Sequence, residues 1–147
     1  MGSDSARLRR FVRHALVSAA NHGSPDAAQL HAAFDVLCEQ LWRRLFPLFG
    51  ESAVKALFAR ALHVSQAEFP WLRSVALDQS RCALIGLDAV SGNLAPQLVE
   101  EGLSAILAHK LGLLSAFIGD DVVLPLVEQA WGAALPSDRP SSTEGEP

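Results

Sequence analysis

At 147 residues, half of them apolar and with a formal charge of -4, the chain can bury one sizeable core and is too acidic for a general nucleic-acid role. Ala and Leu dominate, Tyr is absent and β-branched residues are few, so the expected fold class is all-α. Two cysteines, Cys38 and Cys82, form neither a disulfide framework nor a CxxC motif, which points to a reduced protein of the cytoplasm; a chain of this size needs no metal or disulfide to fold, and no cofactor is expected.

The first helix is predicted over residues 6–21, where Leu8, Phe11, Val12, Ala15, Leu16 and Ala19 keep the three-and-four spacing of one helical face. Gly23 ends it, and Ser24 is positioned to cap a second helix that opens with Pro25. The stripe of that helix is Leu30, Phe34, Leu37, Cys38, Leu41, Leu45 and Leu48, with a kink at Pro47 and a stop at Gly50. A third helix is predicted over 51–68, with Val54, Leu57, Phe58, Ala61 and Leu62 inward and Pro70 as its terminator. Residues 73–91 are ambiguous between a short buried helix and a strand-like segment, and a short helix echoing the first is the expectation. A long helix follows over 98–118, and another runs from a cap at Asp120 or Asp121 to about residue 134. The passage 103–119 is the most hydrophobic, but His109 and Lys110 divide it, so it reads as a buried core helix and not a membrane span. The N-terminal residues do not read as a signal peptide. From Pro136 the sequence has no apolar anchor, which predicts a single bundle domain over 1–135 and a disordered tail over 136–147.

The chain partly superposes on itself after a shift of sixty-nine positions. Leu45 falls on Leu114, Gly50 on Gly119, Val54 on Val123, Leu57 on Leu126 and Ala61 on Ala130. Long helix, glycine, second helix is therefore written twice, over 25–68 and 94–134, and predicts a five- or six-helix bundle of two pseudo-symmetric hairpins.

Few residues stand out chemically. Lys110 falls inside the apolar sector of Val99, Leu103, Ile106, Leu113, Leu114 and Phe117, at the position the repeat assigns to Leu41. A buried ammonium must pair, lose its proton or face a solvated cavity, because unpaired burial costs several kcal/mol. Asp35, Glu39, Asp120 and Glu128 are the candidate partners, and with His109 the lysine is a candidate site for a small anionic ligand. Trp42 lies towards the edge of its stripe and Phe46 further round, near the polar side, where an exposed patch would suit a protein partner or a second copy. Arg9 and Arg13, in an arginine cluster with Arg7 and Arg10, could dock on phosphates, an anionic membrane surface or an acidic partner. There is no HExxH or ExxH metal pattern in the long helices, and no glycine-rich phosphate loop or nucleophile elbow.

Ala108-His109-Lys110-Leu111, with Gly119 ten residues after the histidine, resembles the signature of histidine-containing phosphotransfer domains. That resemblance implies a helical His109 carrying a phosphoryl group between receiver domains. The family usually places Lys three and Gly four positions after the histidine, where Gly112 and Leu113 stand in this chain. The residues taken together favour a non-enzymatic cytoplasmic regulatory or protein-interaction module, self-associating as a homodimer. A ligand-sensing bundle and a phosphotransfer protein are the alternatives.

Overall fold

A computed structural model describes residues 2–20, 25–77, 84–91 and 94–132. It is a helical bundle in which five helices pack together: α1 (Gly2–Ala20), α2 (Ala27–Phe49), α3 (Glu51–Glu68), α5 (Pro96–Ile118) and α6 (Asp120–Trp131). A one-turn helix, α4 (Leu87–Ser91), precedes α5. The predicted Ser24 cap and the 136–147 tail lie outside the described residues.

The central element is α5. Residues 102–108 are buried without a break, almost two full turns, so this part of the helix has no solvent side. Helices α1, α2, α3 and α6 all pack on it. By length and composition α5 would also suit a bilayer, but 56% of its most apolar window is already buried inside the bundle. The expected single apolar sector is corrected accordingly: Leu113 is half-buried and Phe117 is exposed, because burial of α5 follows position along the helix more than position around it.

Around α5 the predicted stripes go inward. Val12, Ala15 and Leu16 of α1 are fully buried, as are Leu30, Phe34, Leu37, Leu41 and Leu45 of α2. Leu48, expected to end that stripe, is exposed in the last turn of α2. The start of α2 is also corrected. Asp26 is the N-cap, accepting from Gln29 N at 2.8 Å while Asp26 N donates to Gln29 Oε1 at 2.9 Å, so Pro25 stands before the helix and not at its first position. This capping box satisfies two backbone donors reciprocally, which outweighs the proline signal. Pro47 sits inside the final turn without ending the helix, which stops at Gly50.

Helix α3 has the predicted bounds and buries Val54, Phe58, Ala61 and Leu62. Beyond it the expected short helix gives way to a 3-10 turn, Pro70–Ser74, and a two-stranded antiparallel ribbon. The strands β1 (Ala76–Leu77) and β2 (Leu84–Ile85) pair Ala76 with Ile85 and Leu77 with Leu84. Gln66 of α3 fastens this segment by donating to the carbonyls of Leu72 at 3.1 Å and Val75 at 3.0 Å. Only residues 87–91 become helical, so the anticipated counterpart of α1 is absent from the described residues.

The two turns expected to match are locally alike. Gly50 has φ 87° and ψ 163°, and Gly119 has φ 96° and ψ 149°. In each case the glycine N–H closes the preceding helix, onto Phe46 O at 2.9 Å and Ser115 O at 2.7 Å, and the glycine carbonyl accepts from the fourth residue of the next helix. Gly119, not Asp120 or Asp121, is therefore the N-cap of α6, while Asp120 accepts a hydrogen bond from Ser115 Oγ. These backbone angles are accessible essentially to glycine alone. Gly50→Ala and Gly119→Ala should each lower the unfolding free energy by about 1–3 kcal/mol in denaturant titration, although neither added methyl meets a neighbour.

Candidate functional site

His109 and Lys110 are adjacent in sequence, and the helix turns about 100° between them. They enter different surroundings. His109, 27% exposed at its side chain, joins a polar clamp across three helices: Arg9 of α1 makes two 2.6 Å hydrogen bonds to the Glu68 carboxylate of α3, and His109 Nε2 lies 3.3 Å from Glu68 Oε1 and 3.5 Å from Arg9 Nη2. The Arg9 hydrogen bonds hold the Glu68 carboxyl below its usual range, against a smaller opposing effect of burial and with help from His109. The same bonds raise Arg9. A phosphoryl group on Nε2 would have to displace the Glu68 carboxylate.

Lys110 points into the core and is 1% exposed. Its Nζ donates to Cys38 Sγ at 2.9 Å, lies 3.8 Å from the centroid of the Phe58 ring and 5.2 Å from that of Phe34. The expected carboxylates Glu39 and Asp120 are engaged elsewhere, and the contacts of the ammonium are instead a thiol and two aromatic rings. Asp35 pairs with His31 at 3.4 Å and Glu39 with Arg43 at 2.8 Å. The aromatic faces offer the ammonium their negative quadrupole, and the soft sulfur accepts its hydrogen bond. Burial pushes the Cys38 thiol up, while the charge and hydrogen bond of Lys110 pull it partly back and Asp35 adds to the rise. Sequence reading missed Cys38 as the partner, since seventy-two residues separate it from Lys110.

The two residues thus do not converge on one cavity. An apolar hollow of about 40 Å³, room for about one water, lies elsewhere, between Leu45, Phe49, Val54, Leu57, Leu114 and Phe117. Among the described residues no group of three or more His, Cys, Asp or Glu side chains is placed to hold a metal ion.

The other sequence candidates are on the surface. Arg9 is held by Glu68, and Arg13 reaches Glu100 at 3.3 Å with its guanidinium half exposed. Trp42 stacks on Phe46, centroids 5.6 Å apart, and sets its ring edgewise against Phe58 at 6.3 Å. Phe46 itself is 44% exposed. Further along, Phe49 meets Phe117 edgewise at 6.2 Å. Leu48 and Phe117, at 61% and 73%, are the most exposed large apolar side chains among the described residues, and each stands two positions before a turn glycine. Periodicity could not flag them, since it assigned both to the core.

Comparison with known protein families, with curated proteins and with solved structures finds no match for this chain.

Two outcomes follow from this geometry. Since the folded Glu68 carboxyl ionises below its unfolded counterpart, its contribution is complete above the ordinary glutamate range and is lost as pH falls through the lowered folded value. Glu68→Gln should therefore flatten the acid limb of a stability–pH curve while leaving the neutral-to-alkaline region parallel to wild type. In the core, Lys110→Met should equal or exceed wild type in thermal stability, because it removes the desolvation cost of the ammonium and leaves behind only a thiol, which packs in an apolar site like a small hydrophobe. Cys38→Ala should cost about 1–3 kcal/mol by stranding the amine, with recovery in the Cys38→Ala/Lys110→Met double variant.

Proposed function

We propose that the chain is a non-enzymatic, cytoplasmic interaction module that self-associates through the end of the bundle where α2 and α5 both finish. The observation carrying this reading is the exposure of Leu48 and Phe117 at equivalent distances from Gly50 and Gly119. Phe49 against Phe117 continues the apolar surface between the helices, and the Trp42–Phe46 stack extends it along α2. The partner assigned to this surface is a second copy. A twofold dimer uses one self-complementary patch on both subunits, and paired apolar knobs beside a shallow apolar hollow give that kind of surface.

The similar turns at Gly50 and Gly119 also support reading the two hairpins as one duplicated unit with approximate twofold symmetry. On that reading the second copy extends outside the chain a relation already present within it. The ligand-sensing and phosphotransfer readings rank lower, since Lys110 is enclosed by Cys38 and aromatic rings and His109 is engaged by Glu68.

Sedimentation equilibrium tests the proposal directly. Wild type should sediment as a dimer with concentration-dependent dissociation, and Leu48→Ser/Phe117→Ser should sediment as a monomer with unchanged helical circular dichroism. A wild-type monomer at the highest attainable concentration, or a dimer indifferent to both substitutions, defeats it.

A further inference from the structure

We propose that hydrogen peroxide joins Cys38 Sγ to Lys110 Nζ in a covalent sulfenamide bond, tying α2 to α5 through a modification site in the core. The two atoms are 2.9 Å apart, within the range from which bonds form without prior rearrangement. Among the described residues the thiol is the hydrogen-bond partner of Lys110, whose Nζ is steered onto it by the rings of Phe58 and Phe34. The four-methylene stem of the lysine can draw nitrogen onto sulfur without moving either helix.

The chemistry balances with one peroxide. In the charge-separated form of the pair, the Cys38 thiolate attacks one peroxide oxygen; the S–O bond forms and the O–O bond breaks. The departing hydroxide takes a proton from the Lys110 ammonium, leaving water, a sulfenic acid and a neutral amine. The amine lone pair then attacks sulfur, the S–O bond breaks, and the second hydroxide leaves with an N–H proton as water. Thiol, amine and one peroxide become a sulfenamide and two waters, with sulfur losing the two electrons that peroxide gains. Condensation with a neighbouring nitrogen is an ordinary fate of a sulfenic acid.

Burial selects this outcome over the usual ones. Cys38 is 4% exposed and Lys110 1%, so a bulky thiol cannot readily intercept the sulfenic acid, while peroxide is little larger than water. The same burial raises the thiol and makes the reaction slower than that of an exposed cysteine.

The test uses the full chain carrying Cys82→Ser, which removes a disulfide between the two cysteines as a source of the same mass change. After incubation with hydrogen peroxide, peptide mass spectrometry should find the segments holding residues 38 and 110 joined, lighter than their sum by two hydrogens, with trypsin no longer cutting after Lys110. Dithiothreitol should restore both separate peptides. In Cys82→Ser/Lys110→Met, Cys38 should take up oxygen and remain unlinked. Oxygen added at Cys38 with Lys110 free, a link from Cys38 to Lys55, or an unchanged Cys38 under peroxide that oxidises the urea-unfolded chain would overturn the proposal.

Discussion

The middle of α5 has to stay dry on every side, and it carries a lysine there. Seven consecutive residues, 102–108, are buried, and Lys110 follows them into the core. Four helices are needed to surround such a segment, which is why α1, α2, α3 and α6 all lie against one element. Desolvating an ammonium costs several kcal/mol. The thiol of Cys38 and the π-faces of Phe58 and Phe34 repay part of that cost, a desolvated cation–π contact being worth about 2 kcal/mol. The lysine is therefore a feature the fold tolerates by arranging soft partners around it, more than a source of stability.

Its neighbour in sequence makes the arrangement specific. His109 reaches the Arg9–Glu68 clamp, which joins α1, α3 and α5 on the outside, while Lys110 enters the seam of α2, α3 and α5. Turning α5 by one residue in one sense would carry the imidazole from Glu68 into the seam of Cys38 and Phe58, and in the other sense would carry the ammonium out of that seam, so either rotation breaks both sets of contacts. Two adjacent side chains thus fix the rotation of the central helix about its axis. The apolar residues of 102–108 alone could not, because a helix buried all round presents no preferred face. Phe58 carries this seam outward: its ring faces Lys110 on one side and meets the edge of Trp42, which stacks on the exposed Phe46.

What the sequence made legible follows from which signals are local. The bounds of α3 were readable because Gly50 and Pro70 punctuate both ends, and the inward faces of α1 and α2 were readable because each has one dry side. The start of α2 was misplaced by two residues, since Ser24-Pro25 mimics a helix opening while the Asp26–Gln29 exchange that decides it depends on two side chains folding back together. Leu84 and Ile85 are too short a run to separate strand from helix by period, and the ribbon forms through pairing with Ala76 and Leu77 across a gap in sequence. At the candidate site Lys110 was found as an anomaly of pattern. Cys38 and Glu68 were not found as its and His109's partners, because seventy-two and forty-one residues separate the pairs and no periodicity carries that information.

The position of the two glycine turns explains why apolar side chains are left outside at one end. Phe49 touches Phe117, so α2 and α5 finish on the same side of the bundle, and the chain must return from there twice, through α3 and through α6. A return that begins at once, with a single glycine between helices, leads the next helix down along the bundle and leaves nothing to cover the tip. Leu48 and Phe117, two residues before each glycine, consequently remain in water, and a methyl group built on either glycine meets no neighbour within 4 Å. An added capping segment would have hidden these side chains, as the ribbon and α4 close the path between α3 and α5. The economy of the two turns and the exposure of the apolar tip are one constraint seen from two sides, and a second molecule placed on that tip would relieve the exposure without altering either turn.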